Sequence, residues 1–328
     1  MTRPLVDRFG RQVVDLRLSI TDRCNFRCQY CMPKEDMHWL PRDEVLTFEE
    51  IERLAGIFVG EFGITSIRLT GGEPTVRAAL PDLVAKLARY PVELSMTTNG
   101  ATLERLALPL KKAGLHRVTI SCDSLQRDRF AAITGRDMLA SVLKGVDAAC
   151  EAGLWPVKVN AVLMRGVNDD EVVDLARYSR ERGVTLRFIE FMPLDGAGEW
   201  AADRVVPAGE ILARVNAVFP LEPVARSGAE PAEHYRYADG QGELGVIASV
   251  TRPFCESCDR VRITAEGALR SCLFAVRERD LRALLRSGGT DEQLVEAIEA
   301  EVAAKWAGHQ IGKVTFVRPA RSMSQIGG

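Results

Sequence analysis

The sequence has 328 residues, of which 46% are hydrophobic and 27% charged, an ordinary composition for a globular protein with a large core. Its formal charge of −2 argues against a nucleic-acid coat or an acidic tail. Since the sequence shows no apolar leader and no run of 18 apolar residues, we expect no export or membrane insertion, and a cytoplasmic protein whose thiols stay reduced.

Strand-like and helix-like stretches alternate along the first two thirds of the chain. Thr47 and Glu50 form a capping-box pattern at one helix start, and Asn168 precedes another helical stretch that Gly183 follows. Six strand-then-helix units indicate a parallel sheet with right-handed crossovers. The predicted strands are 13–20, 66–70, 92–98, 117–122, 156–164 and 185–192.

The first five predicted strands each alternate an apolar face with a polar face. In the first, Leu16 and Leu18 share one face while Arg17 and Ser19 share the other. A parallel sheet covered on both sides should instead read as continuous apolar runs. If the apolar faces pack on outer helices, the polar faces line a lumen, and we predict an incomplete (β/α)6 TIM-like barrel that holds a polar, charged ligand. Solvated edge strands are the alternative, although parallel strands are rarely exposed.

Two groups of three cysteines stand out among the eight in the chain. The first, Cys24, Cys28 and Cys31, follows the first strand as C-x3-C-x2-C. Its spacing also suits one buried helix face, but a structural zinc ion needs four ligands and the nearest histidine is His38. Three thiolates suit a [4Fe-4S] cluster that keeps one iron open. The second group is Cys255, Cys258 and Cys272.

The first group forms part of a larger pattern that resembles the radical S-adenosylmethionine (SAM) superfamily. An aromatic residue precedes the third cysteine, and GGEP at 71–74 follows the second strand. The resemblance implies that the open iron chelates the amino and carboxylate groups of SAM, and that the GGEP segment bonds the methionine ammonium. Glycines let the backbone approach closely there, and a carboxylate lies beside them. The SAM contacts implied are Tyr30, Gly72, Glu73, Ser121 and Met192.

The second cysteine group indicates one family within that superfamily. The stretch FCESCDRVRITAEGALRSC (254–272) is similar to the C-terminal cluster motif of the GTP 3′,8-cyclase family, which acts in molybdenum cofactor biosynthesis. That resemblance implies a partial barrel over 1–220 and a C-terminal domain over 221–328 with a second three-cysteine [4Fe-4S] cluster and a Gly-Gly tail. The GTP contacts implied are Arg17, Arg68, Thr97, Lys158, Arg260 and Arg262.

Three of these cations, Arg17, Arg68 and Lys158, already fall on the predicted lumenal face, where they suit a triphosphate. Ion pairing with Asp15 and Glu93 is the alternative role, because buried charges are usually paired. Thr97 and Thr98 both offer a hydroxyl, and only strand register separates them.

The resemblance implies a carbon–carbon bond-forming lyase reaction. Reductive cleavage of SAM gives methionine and a 5′-deoxyadenosyl radical, which removes hydrogen from the ribose 3′ position of GTP. The sugar radical adds to guanine position 8, and reduction by one electron with transfer of one proton, which involves the second cluster or Arg residues, then gives (8S)-3′,8-cyclo-7,8-dihydroguanosine 5′-triphosphate. Catalytic roles are expected for Arg260, Arg262, Gly327 and Gly328, the two glycines by inserting into the site, although a frayed terminus fits the sequence equally.

The partners implied are GTP, an external electron donor and a downstream cyclic pyranopterin monophosphate synthase that receives the product, with a homodimer as one option and no nucleic acid or membrane. Two other functions are weighed: a peptide-modifying radical SAM enzyme with auxiliary clusters, and a zinc- or cluster-based structural or electron-transfer protein. The Arg-rich CDRVR at 258–262 disfavours the first, and GGEP disfavours the second. GQGELG (240–245) lacks a following helix pattern, and GHQIGK (308–313) is not a Walker A, so GTP would bind without a P-loop.

Overall fold

The strands of the computed structural model join in one sheet. The structure describes residues 2–32, 39–194, 198, 200–226, 228–314 and 316–327. Within these ranges the sheet has twelve strands in the linear order β12-β11-β10-β1-β2-β3-β4-β5-β6-β9-β8-β7. The strands are β1 (Asp15–Ser19), β2 (Ser66–Thr70), β3 (Glu93–Thr98), β4 (Arg117–Ser121), β5 (Lys158–Leu163), β6 (Thr185–Glu190), β7 (Leu221–Pro223), β8 (Glu233–Tyr237), β9 (Glu243–Ile247), β10 (Arg260–Ile263), β11 (Ala268–Arg270) and β12 (Arg279–Asp280).

Helices connect the strands of the parallel core and follow them in the C-terminal part. No helix in the described ranges is long and apolar enough to cross a bilayer. The helices are α1 (Phe48–Gly60), α2 (Leu80–Leu87), α3 (Leu103–Lys112), α4 (Arg127–Thr134), α5 (Leu139–Glu151), α6 (Val172–Arg182), α7 (Ala208–Asn216), α8 (Leu281–Arg286), α9 (Asp291–Ala303) and α10 (Met323–Ile326).

The six predicted strands are confirmed as β1 to β6, and each pairs in parallel with the next. The pairing register places Leu16 beside Ile67 and Arg17 beside Arg68, so like faces of adjacent strands coincide. The apolar face is buried: Leu16 and Ile67 have no measurable exposure. Because that face packs on the helices, the polar face points into the barrel.

Residues after 220 extend the same sheet at both edges. β10 lies parallel to β1, with Arg262 opposite Arg17, and β9 lies parallel to β6. The hairpin of β7 and β8 continues beyond β9, and β11 and β12 continue beyond β10. The sequence pattern did not predict this extension, because these later strands are short and separated by loops. The C-terminal residues therefore contribute directly to the barrel wall.

The two helix starts predicted from capping residues, those of α1 and α6, differ in the structure. Thr47 caps α1 in a complete capping box with Glu50, as predicted. Asn168 instead precedes a short 3-10 turn, and α6 begins only at Val172. The Asn168 side chain accepts a hydrogen bond from the Met164 amide and donates to the Asp123 carbonyl, so it holds two loops rather than capping α6. Gly183 follows α6 in the left-handed region, as predicted.

Glu190, at the end of β6, ties the core to the C-terminal strands. Its buried carboxylate accepts hydrogen bonds from the amides of Ala208, Val250 and Thr251, at 2.8–2.9 Å. One of these amides begins α7 and two follow β9, so a single side chain satisfies donors that no helix or strand bond would satisfy.

We expect Glu190→Ala to lower the free energy of unfolding by about 3 kcal/mol, because the amides of Ala208, Val250 and Thr251 lose the buried carboxylate that accepts their hydrogen bonds. Urea unfolding of the metal-free protein followed by circular dichroism measures the change. Glu222→Ala, at an exposed position of β7, is the control and should change it little. A Glu190→Ala protein as stable as the control would show that the carboxylate does not hold this junction.

Candidate active site

A cavity of about 600 Å³ occupies the barrel interior. The polar faces of β1 to β5 line it, which confirms the alternation read from the sequence. The structure also brings the SAM and GTP contacts implied for residues 17–262 into its lining: Arg17, Tyr30, Arg68, Gly72, Glu73, Thr97, Ser121, Lys158, Met192, Arg260 and Arg262.

The first cysteine group forms one end of this cavity. Cys24, Cys28 and Cys31 all line it, in the loop after β1. The GGEP segment holds that loop: the Gly72 amide donates to the Thr21 carbonyl and the Glu73 amide to the Arg23 carbonyl, both at 2.8 Å. A Cβ at Gly72 would lie 2.4 Å from two backbone oxygens, so this packing requires glycine.

Glu73 is fully buried and its carboxylate is already well supplied with donors. Oε1 accepts from Thr75 and from the Thr98 hydroxyl at 2.6 Å, and Oε2 accepts from the Asn99 amide at 2.6 Å. Burial raises the pKa of Glu73, and these bonds oppose that rise. The side chain therefore fastens the GGEP turn to the end of β3.

The three thiols of the first group lie in a buried site where ionised thiols would repel one another. Burial raises the pKa of Cys24 to about 11, and burial and mutual repulsion raise the pKa of Cys28 and Cys31 further. The amide of Phe26 donates to Cys24 Sγ at 3.3 Å, as protein donors do to cluster sulfurs. Within the described ranges, no three Cys, His, Asp or Glu side chains are placed closely enough to hold a single metal ion. This donor set fits a [4Fe-4S] cluster with three protein ligands.

Tyr30 and Asp123 form a buried pair at the same end of the cavity. The Tyr30 hydroxyl donates to Asp123 Oδ2 at 2.7 Å, while Oδ1 accepts from the Val162 amide. Burial raises the pKa of Asp123 to about 6, and the two hydrogen bonds limit the rise. The pair fixes the Tyr30 ring beside the cysteines.

The opposite end of the cavity is cationic. Burial lowers the pKa of Arg17 and Arg68 to about 10 and that of Arg187 to about 9. Several guanidinium donors, including Arg17 Nε, Arg68 Nε and Arg260 Nε and Nη2, have no hydrogen-bond partner among the described residues. Buried unpaired donors are costly, so this geometry calls for an anionic ligand. The seven cations in the lining are Arg17, Arg68, Arg117, Lys158, Arg187, Arg260 and Arg262.

Carboxylates offset only part of this charge. Glu93 pairs with Arg117 rather than with Arg17 or Arg68, and Asp15 Oδ1 has no hydrogen-bond partner among the described residues. Glu230 lies 2.9 Å from Lys158 Nζ. The ion-pairing alternative therefore applies to part of the cation set and leaves Arg17 and Arg68 without a hydrogen-bonded carboxylate in the described chain.

The second cysteine group lies behind the cationic end. Its thiols do not line the cavity, but the neighbouring Phe254, Asp259 and Leu273 do. Lys305, 2% exposed, donates to the Cys258 carbonyl at 3.0 Å and lies 3.5 Å from Cys258 Sγ. Arg260 and Lys305 outweigh burial and lower the pKa of Cys258. This environment fits a thiolate ligand.

The C-terminal segment enters the barrel. The Gly327 carbonyl accepts a hydrogen bond from Arg262. Gly327 has φ +69°, and a Cβ there would collide with Ser19 Oγ. Glycine is therefore required at this position by both conformation and space. Gly328, given a catalytic role from the sequence, lies outside the described residues.

The structure adds site residues that the sequence reasoning missed. Arg187 lies on the lumenal face of β6, and its alternation with the apolar Leu186 and Phe188 marks that face in the sequence. Asp123 follows Ser121 by two positions and continues the lumenal face of β4. Glu230 lies in a loop and Lys305 follows α9, so neither belongs to a strand or helix whose residue periodicity could identify it. Strand register also separates the threonines: Thr97 Oγ1 lies 3.5 Å from Arg68 Nη1, whereas Thr98 donates to Glu73.

Comparison with known families places matches on both parts of the chain. Residues 18–179 match the Radical SAM superfamily, and residues 184–311 match Molybdenum Cofactor Synthesis C. A Streptomyces coelicolor protein named GTP 3′,8-cyclase is 48% identical over 328 residues, covering 99% of this chain and 96% of that protein. A Mycolicibacterium smegmatis protein of the same name is 49% identical, covering 99% of this chain and 92% of that protein.

Solved structures share the fold at low sequence identity. Streptococcus suis SuiB bound to S-adenosylmethionine aligns with a TM-score of 0.60 at 14% identity, covering 85% of this chain and 67% of SuiB. Native anSMEcpe with bound AdoMet aligns with a TM-score of 0.58 at 17% identity, covering 81% of this chain and 77% of anSMEcpe. These likenesses support the partial-barrel architecture.

We expect Gly72→Ala to release the cysteine loop, because the new Cβ cannot share space with the carbonyls of Asp22 and Arg23. Alkylation of Cys24 by iodoacetamide in the metal-free protein, read by mass spectrometry, should become at least about tenfold faster if the loop loses 1.4 kcal/mol of packing. Gly60→Ala is the matched control, since nothing lies within 4 Å of a Cβ there. Equal alkylation rates in the two variants would contradict the role given to Gly72.

Proposed function

The chain belongs to the GTP 3′,8-cyclase family of radical SAM enzymes, so it converts GTP to (8S)-3′,8-cyclo-7,8-dihydroguanosine 5′-triphosphate in molybdenum cofactor biosynthesis, and we propose that the barrel cavity is where this reaction occurs. One observation carries the proposal. A single cavity has three cysteines at one end and seven cations at the other. The enzyme uses two [4Fe-4S] clusters and SAM as cofactors.

Cys24, Cys28 and Cys31 would hold the first cluster, with SAM beside it. When bound, this cluster and SAM supply the carbon-centred radical that removes a hydrogen atom from the substrate. The chain itself would position SAM. The GGEP turn presents the Gly72 backbone, and a hydrogen bond to Asp123 fixes Tyr30. The other SAM contacts in the proposal are Glu73, Ser121 and Met192, which line the same end of the cavity.

GTP would place its triphosphate against the cations of β1, β2, β5 and β10. Arg17, Arg68, Lys158, Arg260 and Arg262 offer charge-assisted bonds in a space largely shielded from solvent. Arg187 and the Thr97 hydroxyl complete the set in this proposal. Because several of these guanidinium donors lack partners among the described residues, an anion satisfies them without breaking existing bonds.

Cys255, Cys258 and Cys272 would hold the second cluster, with Lys305 as a nearby cation. We place the guanine base at this end, since Phe254 and Leu273 connect the second cysteine group to the cavity. Residues 1–220 would then supply the SAM chemistry and residues 221–328 the second cluster, although both parts build the barrel wall.

The proposed reaction also requires partners other than GTP. An external electron donor supplies the reducing electron, and the product passes to a downstream cyclic pyranopterin monophosphate synthase. We place the enzyme in the cytoplasm and keep a homodimer as one form of its assembly. No nucleic acid or membrane takes part.

The direct test is anaerobic turnover of the reconstituted protein with SAM, dithionite and GTP, followed by mass spectrometry. We expect about eight iron and eight sulfide per chain, 5′-deoxyadenosine, and the 3′,8-cyclised nucleotide. SAM cleavage with GTP left unchanged would overturn the substrate assignment, and zinc without sulfide would overturn the enzyme assignment.

Arg17→Gln should weaken GTP binding roughly tenfold to hundredfold, because one buried charge-assisted contact with the triphosphate is lost. Titration of the anaerobic holoenzyme by calorimetry measures the dissociation constant. Arg89→Gln, whose side chain is 73% exposed on the outer surface, is the control and should bind GTP normally. Unchanged GTP affinity in folded Arg17→Gln protein would remove Arg17 from the substrate site.

Deletion of Gly327 and Gly328 should abolish cyclisation while both clusters remain. Arg262 loses its hydrogen bond to the Gly327 carbonyl, and the close packing of Gly327 against Ser19 is lost. Iron and sulfide content and the product assay are measured on the same sample. Full activity in the truncated protein would discard the catalytic role of the tail.

A further inference from the structure

Glu230 is an acidic side chain that lies beside two of the cations to which the proposed function assigns the triphosphate. Glu230 comes from the loop between β7 and β8, and Ala229, Glu230 and Pro231 line the barrel cavity. Glu230 Oε1 lies 2.9 Å from Lys158 Nζ and 3.7 Å from Arg187 Nη1. A carboxylate from outside the parallel core therefore occupies a position where a phosphate oxygen would meet the same two cations.

The two oxygens of this carboxylate face different partners. While Oε1 faces Lys158 and Arg187, Oε2 lies 3.1 Å from His234 Nε2, at the start of β8. The Glu230 carbonyl accepts a bond from Arg226 at 3.1 Å, and Arg226 also donates to Ser257. Because Arg226 holds the backbone and Oε2 already lies beside His234, Oε1 can leave the cations without moving the loop.

The electrostatics of Glu230 indicate a carboxylate that stays ionised. The neighbouring His234 and the charge of Lys158 hold the pKa of Glu230 well below the ordinary range of a glutamate, in spite of partial burial. Its side chain is 36% exposed, whereas those of Lys158 and Arg187 are 12% and 7% exposed. A partly solvated anion thus neutralises buried cations, and it can return to water at modest cost.

We propose that Glu230 is a displaceable internal anion, which occupies the triphosphate subsite of the empty barrel and yields Lys158 and Arg187 to the nucleotide when GTP binds. It stabilises the ligand-free barrel and lowers its affinity for polyphosphate by competing for the same cations. This inference rests on the proposed function for the identity of the natural ligand. The competition itself concerns any polyphosphate anion.

The test compares Glu230→Gln with the wild-type anaerobic holoenzyme, using inorganic tripolyphosphate, GTP and guanosine as ligands. Loss of the competing charge should tighten tripolyphosphate and GTP binding roughly fivefold to tenfold and leave guanosine binding unchanged. The ligand-free variant should melt at a lower temperature than wild type, and GTP should raise its melting temperature by more. An ordinary structural ion pair would lower the melting temperature without tightening polyphosphate binding.

Glu233→Gln is the matched control. Glu233 has a similarly exposed side chain, pairs with Arg252 at 2.9 Å and does not line the cavity, so we expect no gain in affinity. Glu230→Asp retains the charge on a shorter side chain, so its gain in tripolyphosphate affinity should be intermediate. This variant replaces Glu230→Gln in the test if Glu230→Gln fails to fold. Unchanged or weaker tripolyphosphate binding in the folded Glu230 variants, or an equal gain in Glu233→Gln, would overturn the proposal. Tighter tripolyphosphate binding without any cyclised GTP would support it and refute the proposed function instead.

Discussion

Buried positive charge inside the barrel is the constraint on which the rest of this structure depends. Arg68, Arg187, Arg260 and Arg262 are each less than 10% exposed, and carboxylates offset only part of their charge. Desolvated cations destabilise a fold unless something pairs with them. In the proposed function the substrate brings several negative charges to these cations, so the groups that destabilise the ligand-free barrel would also provide selectivity for a nucleoside triphosphate.

The C-terminal part supplies what the six-stranded core lacks. β10 places Arg260 and Arg262 beside Asp15 and Arg17, and the tail returns to the barrel at Gly327. The loop before β10 carries two cysteines of the second group, so their position follows from the pairing of β10 with β1. A continuous sheet therefore holds the first cysteine group at one end of the cavity and the second group behind the cationic end, beside the lining residues Phe254 and Leu273.

The sequence predicted the parallel core because its apolar and polar residues alternate with the period of a strand, and the same alternation identified Arg17, Arg68 and Lys158 as lumenal. Cysteine spacing is a local property, so it indicated a three-thiolate cluster, whereas the reaction followed only from the resemblance to the radical SAM superfamily. The sequence did not predict that β9 and β10 join the sheet, since long-range pairing leaves no local pattern in short strands. Glu230 and Lys305 were missed for the same reason, because a loop residue gains its role only from the strands it reaches.

We propose that SAM lies at the Cys24 end and GTP at the Arg17 end of one cavity, with the ribose between them. Turnover with GTP deuterated at the ribose 3′ position tests this most directly, with the mass of the released 5′-deoxyadenosine as the measurement. If the ribose lies between the two ends, the released 5′-deoxyadenosine carries one deuterium atom. Deoxyadenosine without deuterium, formed while GTP is consumed, would contradict it, because the ribose 3′ carbon would then lie away from the cysteine end of the cavity.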